Sequence, residues 1–162
     1  MDSVDEIVVV GFDEKYAGDF ARLNYEWIDK YFGAEEHDRD MLDDPISYII
    51  KPGGEIFFAV CEGKAIGTVA MISAPDNMSE LAKMAVSPAF HGRGIADKLM
   101  KACIDHARAA GKRAIWLESN TILEPAIKLY RKHGFVETPL DKNSLYSRCN
   151  IQMELAINGL DV

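Results

Sequence analysis

Cysteine is scarce in this chain. The three present, Cys61, Cys103 and Cys149, are odd in number and far apart. They form neither a disulfide framework nor a metal-ligand spacing, and they suit reduced thiols in a cytoplasm. The four histidines are scattered too, so no metal site is predicted. No run of about 18 apolar residues occurs, so no membrane-spanning helix is expected. The opening Met1-Asp2-Ser3-Val4-Asp5-Glu6 lacks the basic start of a signal peptide. These absences predict a cytoplasmic protein. Repeats and low-complexity segments are missing as well. Bases are outnumbered, 18 Lys and Arg against 26 Asp and Glu, for a net charge of −8, which argues against a nucleic-acid binder. What is present is 162 residues, 48% of them apolar, enough for one domain over 1–162 with a full core.

The charge is unevenly spread. Residues 1–55 hold 15 acids and 5 bases, a net of −10, whereas segment 91–133 holds 9 bases and 4 acids, a net of +5. One part of the surface should attract cations and the other anions.

The elements follow from period and punctuation. Glu6 to Phe12 reads as a first strand. Asp13 can cap a helix whose apolar face is Tyr16, Phe20, Leu23, Trp27 and Tyr31, ended by Gly33. Most of this stripe is core, and Tyr25, Glu26 or Tyr31 at its edge could line a pocket. Glu35 to Asp44 is a short acidic helix or ordered loop before Pro45. Ser47 to Lys51 looks extended. Ile56–Cys61 and Lys64–Ser73 form a hairpin about Glu62-Gly63. Ser79–Val86 is the next strand. A long helix then buries Ile95, Leu99, Cys103 and Ala107, with Gly111 as its stop. Arg113–Leu117 is a strand, Ala126–Lys132 a helix opened by Pro125, Phe135–Glu137 a short strand, Asp141–Ser147 a polar loop and Arg148–Ile157 a last strand. The order β-α-α-β-β-β-α-β-α-β-β predicts an α/β (α+β) domain, a mixed sheet with helices on its faces.

The stretch from Lys83 to Leu99 organises the rest. Met84, Ala85 and Val86 finish an apolar strand, and Ser87-Pro88 stops it. His91-Gly92-Arg93-Gly94-Ile95-Ala96 follows, and a helix starts at once. Two glycines let backbone N–H groups converge, and a helix N-terminus adds unpaired donors and a partial positive charge. This is either a tight strand–helix connection or a phosphate site. Neither the dinucleotide fingerprint nor the P-loop pattern fits, because no third glycine and no Gly-Lys-Ser/Thr occurs.

Leu81-Ala-Lys-Met-Ala-Val-Ser-Pro88, His91-Gly-Arg-Gly-Ile-Ala96 and Ala126-Ile-Lys-Leu-Tyr-Arg-Lys-His-Gly-Phe135 resemble the acetyl-CoA-binding motifs of the GNAT superfamily of N-acetyltransferases. The likeness is close over residues 56 to 137. The family's phosphate loop usually begins with Gln or Arg, and His91 stands there instead. The resemblance implies a single-domain, mostly antiparallel mixed sheet with flanking helices and a splayed central pair of strands, ending at Val86 and near Glu118. It implies pantetheine pairing with Met84, Ala85 and Val86, pyrophosphate on His91 to Ala96, and Asn120 on the pantetheine arm. Tyr130 stands four residues before Gly134, where the family often places a tyrosine near the thioester sulfur. Acetyl-CoA is the implied cosubstrate.

Amide formation from a thioester needs a neutral amine, a donor for the tetrahedral oxyanion and a proton for the leaving thiolate. Glu80, six residues before Val86, stands where histone-type members keep a glutamate and is the candidate base; the alternative is a plain strand-end carboxylate. Glu26 and Glu118 are weaker candidates. Alternation would put Glu80, Ala82, Met84 and Val86 on one face. Tyr130 is the candidate acid, or else a core aromatic. No histidine is placed to activate Cys103 or Cys149, which favours direct transfer in a ternary complex. The acidic first 55 residues, the acceptor side in this family, predict a cationic small-molecule or peptide amine. A non-catalytic acyl-CoA-binding regulatory module is the rival reading. The 138–148 loop and last strand leave a homodimer open.

Overall fold

Alternating apolar runs become the strands of one seven-stranded sheet in a computed structural model that describes residues 6–140 and 148–157. The strands are β1 (Ile7–Val10), β2 (Glu55–Cys61), β3 (Lys64–Ala74), β4 (Met78–Val86), β5 (Ala114–Ser119), β6 (Val136–Thr138) and β7 (Ile151–Ala156). Their spatial order is β1-β2-β3-β4-β5-β7-β6. Neighbours are antiparallel except β4 and β5, which run parallel. The helices are α1 (Ala17–Tyr31), α2 (Glu36–Asp43), α3 (Ile95–Ala109) and α4 (Glu124–Lys132). The element order is the one expected. The polar loop expected over Asp141–Ser147 lies outside the described residues.

Each face of the sheet carries its own core. Phe20 and Ile28 of α1 and Met41 and Leu42 of α2 bury against Ile56, Phe58 and Ala70. On the other face Ile95, Leu99, Met100, Cys103 and Ala107 of α3 join Tyr130 of α4 over Val69, Met71, Ile115 and Met153. Full burial of side chains such as Leu99 and Met100 stabilises by about 1.5–3 kcal/mol each. α3 crosses β3 at Gly67, where an added Cβ would come within 3.1 Å of the Ile95 side chain. That close approach explains the glycine.

Local chemistry sets the ends. Asp13 caps, accepting from the Lys15 amide at 3.0 Å, although a short 3-10 turn over Glu14–Tyr16 precedes α1. Glu62 and Gly63 both take positive φ, 50° and 77°, the two-residue turn that right-twisted strands accept. Gly111 has φ +72° just past α3. α2 opens with a capping box between Glu35 and Asp38.

Ser47–Lys51 is not extended. Ile46–Ile50 forms one wide π-helical turn, closed by the Lys51 amide on the Ile46 carbonyl at 2.8 Å. Asp44 starts it by accepting from the Ser47 amide. The β-branched residues suggested a strand, but the turn lets Ile49 enter the core completely buried. The last strand is also shorter than expected, because Arg148, Cys149 and Asn150 precede β7 rather than belong to it.

Alternation along β4 is broken. Ala82 pairs with Ala70 and Ala85 with Thr68, so four residues of β4, 82–85, lie against three of β3, 68–70. The extra residue is a bulge, with Lys83 at φ +58°. Glu80 and Ala82 therefore pair with Ile72 and Ala70 of the α1-side core, whereas Met84 and Val86 pack with the α3-side core. The expected single face for these four residues is corrected by the bulge.

Candidate active site

β4 and β5 pair only over Met78–Glu80 with Ala114–Trp116. Beyond Glu80 the strands part, as the resemblance implied, and Leu81 to Val86 face a cleft instead of a partner strand. The opening holds about 390 Å³ and is walled by β4, the end of β5, the second half of α1 and α4. At the end of β4, the 3-10 turn Pro88–Phe90 leads to Gly92 and Gly94, with φ +81° and +75°. A Cβ at either glycine would meet no heavy atom within 4 Å. The amides before α3 thus sit in a left-handed, open turn at a helix N-terminus, the geometry that receives anions. His91 Nε2 donates to the Val86 carbonyl at 2.9 Å, which ties this loop to the strand end. The Arg93 guanidinium lies 4.9 Å from the centre of the Phe90 ring.

Of the residues singled out from sequence, Glu80, Met84, Ala85, Val86, His91, Asn120, Tyr130, Glu26 and Tyr31 line the cleft. Gly92, Arg93, Gly94, Ile95 and Ala96 lie beside it at the start of α3. Tyr25 is not on its wall, and its hydroxyl donates to Asp43 at 2.9 Å. Asn120 donates from Nδ2 to the Arg148 carbonyl at 2.6 Å and accepts from the Ile122 amide at 2.9 Å, so it also shapes the turn after β5.

Burial pushes the Glu80 carboxyl up to about 7, with Glu118 raising it further and Lys83 opposing. A carboxylate balanced near neutrality can take and release a proton at working pH. Tyr130 is 9% exposed, and burial pushes its hydroxyl up to about 12, so it holds its proton. Burial raises both the Cys149 thiol, to about 11, and the Cys103 thiol; neither has the thiolate character of a nucleophile. Among the described residues no group of three or more His, Cys, Asp or Glu could hold a metal ion.

Sequence reasoning missed the polar anchor behind this cleft. Lys83 Nζ pairs with Asp38 of α2, which is fully buried. Arg148 grips the same carboxylate with both arms, at 2.7 and 2.8 Å, and reaches Glu35 at 3.4 Å. Lys83 and Arg148 both reach the cleft wall. The two cations hold the Asp38 carboxyl well below the usual carboxylate range despite its burial. Burial pushes the Lys83 ammonium down. The aromatic side of the cleft is Trp27, Tyr31 and Phe32, with rings about 6.1 Å apart. Among the described residues the buried Trp27 indole N–H has no partner.

An unpaired strand edge, an open glycine turn at a helix N-terminus and a carboxyl balanced near neutrality meet at one cleft. The acetyltransferase (GNAT) family profile matches residues 21–135, and the chain belongs to that family. An N-acetylaspartate synthetase from Danio rerio is 37% identical over 91 residues, 55% of this chain and 32% of that protein. The chain therefore spans about a third of the length of that relative. Among solved structures, a GNAT acetyltransferase from Staphylococcus aureus superposes with a TM-score of 0.84 at 19% identity, over 94% of this chain and 99% of that one. A Salmonella typhimurium structure, solved with its cofactor acetyl-CoA, superposes with a TM-score of 0.78 at 18% identity, over 96% of each chain. Both share the fold.

Proposed function

We propose that this chain transfers an acetyl group from acetyl-CoA to a primary amine, by direct attack in a ternary complex. The observation that carries the reading is the parting of β4 from β5 next to the open glycine turn. That arrangement offers one extended ligand both a strand edge and a cradle for its phosphates. The residues fit the coenzyme: Met84, Ala85 and Val86 offer backbone to pantetheine, and the amides of 92–96 receive the pyrophosphate. His91 holds that loop to Val86, and Asn120, which lines the cleft, would border the pantetheine arm. The coenzyme supplies an activated acyl group whose thiolate can leave.

The chain's own groups do the rest. A lysine-like amine is neutral roughly once in 10³ at pH 7, a cost of about 4–5 kcal/mol. Glu80 accepts the proton that the attacking amine must lose. A backbone amide beside Val86 would supply the donor that the developing oxyanion needs. Tyr130, which keeps its proton and makes no protein hydrogen bond among the described residues, donates to the leaving sulfur.

The acceptor is a cationic small molecule or peptide amine. Glu26, Glu80 and Glu118 line the cleft together with the cations Lys30, Lys83 and Arg148, and Asp38 pairs with the last two. The aromatic wall suits an ammonium or its alkyl stem. The experiment is free-thiol release from acetyl-CoA with a panel of diamines, polyamines, lysine and peptide N-termini. Aspartate joins the panel because of the name its relatives carry. Calorimetric titration of coenzyme A accompanies it. Binding together with thiol release by a cationic amine is expected; no affinity for the coenzyme would sink the reading.

A further inference from the structure

No polar partner fixes the Tyr130 hydroxyl, which makes no protein hydrogen bond among the described residues. Its place is therefore inherited from the backbone of α4. That helix has nine residues, and Tyr130 is the only one of them buried. Ala126, Ile127 and Leu129 are partly buried against the α3-side core. A helix this short is marginal by itself and depends on what it is fastened to. Among the described residues, α4 and its C-cap reach another element by side-chain hydrogen bonds or ion pairs at one place only. His133 Nε2 donates to Asp97 Oδ1 at 2.8 Å, and Lys132 Nζ lies 2.9 Å from the same oxygen. The two partners differ in weight. Lys132 is 66% exposed, and such surface pairs add little. The His133 side chain is 21% exposed, and a well-covered donor on a carboxylate makes the stronger bond.

Both ends of this tie lead to the cleft. Asp97 is the third residue of α3, directly after the open glycine turn. On the other side, the His133 amide donates to the Tyr130 carbonyl at 3.1 Å, and the Phe135 amide donates to the same carbonyl at 3.0 Å. A pull on the His133 ring is thus a pull on the turn that carries the tyrosine. The charges also suit the two helices. An acid in the first turn of α3 meets bases at the end of α4, so each lies at the favourable end of its own helix dipole. We propose that Asp97 is a positioning residue for the transfer: by holding His133 it fixes α4 on α3, and so sets the Tyr130 hydroxyl at a constant distance from the turn that takes the coenzyme's phosphates. This rests on the reading of Tyr130 as the acid. One carboxylate then references both the phosphate end and the sulfur end of the coenzyme.

The test combines hydrogen exchange with kinetics on the full chain. D97A should speed exchange of the α4 amides at least about threefold and leave those of β5 unchanged. H133F, which removes the same bond from the other helix, should do likewise. D97N keeps an oxygen for His133 and should resemble the wild type. Thiol release from acetyl-CoA, with the fastest panel amine or with water as acceptor, should have a kcat about tenfold lower in D97A. Coenzyme A affinity by calorimetry should stay within about threefold of wild type, so that kcat moves and binding does not. In a Y130F background the D97A change should cost less than about twofold, because the group it positions is gone. Unaltered α4 exchange in D97A and H133F overturns the proposal. So does a D97A loss as large in Y130F as in the wild type, which leaves the acid reading standing. Full turnover in Y130F alone removes the acid reading and the proposal with it.

Discussion

Replacing Glu80 with glutamine should raise stability and abolish turnover together. The carboxyl sits at about 7 in the fold against an ordinary 4.5. Between these values the folded state holds the proton more tightly than the unfolded chain does. Stability therefore falls as pH rises through that window and stays lower above it. The difference, 7 minus 4.5, at about 1.36 kcal/mol per unit, sets a ceiling of about 3 kcal/mol. Glutamine cannot ionise, so the variant should match the wild type near pH 4.5 and exceed it above pH 7, by an amount approaching that ceiling. Urea unfolding at pH 5, 7 and 8.5 reads this directly as a widening gap in midpoint. Turnover should fall about 10²- to 10⁴-fold, as expected for loss of a general base. A gap that stays constant with pH would show that Glu80 is not held near neutrality by burial and Glu118. Full turnover would remove it from the chemistry.

Tyr130→Phe should leave stability within about 0.5 kcal/mol, because the hydroxyl makes no protein hydrogen bond among the described residues. Acetyl-CoA affinity measured by calorimetry should hold, while kcat drops about 10²-fold; an unchanged kcat would end the acid role. Gly94→Val places a branched side chain at φ +75°, a strain of about 1–2 kcal/mol, and sets its methyls over the amides that begin α3. The KM for acetyl-CoA should rise at least about tenfold, and an unaltered coenzyme affinity in the folded variant would refute the phosphate cradle.

Much of this protein was legible in its residues. Period and punctuation act locally, so Phe20 and Leu23 on one helix and Ile95, Leu99 and Cys103 on another declared their buried faces. Glu62-Gly63 declared its turn, and Gly92 and Gly94 the loop before α3. The Ser47–Lys51 stretch misled because β-branched composition cannot distinguish a strand from a wide turn that drops Ile49 into the core. Tyr25 misled because its place at the stripe's edge says nothing of Asp43, eighteen residues away.

The site divides along the same line. The amino-acid order by itself determined the element sequence, the glycine turn at the start of α3 and the family motifs, since each depends on residues within one or two turns of each other. Only tertiary structure decided the β4 bulge that splits Glu80 from Met84–Val86, the neutral-range carboxyl, and the Lys83–Asp38–Arg148 clamp. Those depend on desolvation and on charges that are 45 and 110 residues apart in the chain. Burial and long-range ion pairing come into being only when the sheet has assembled.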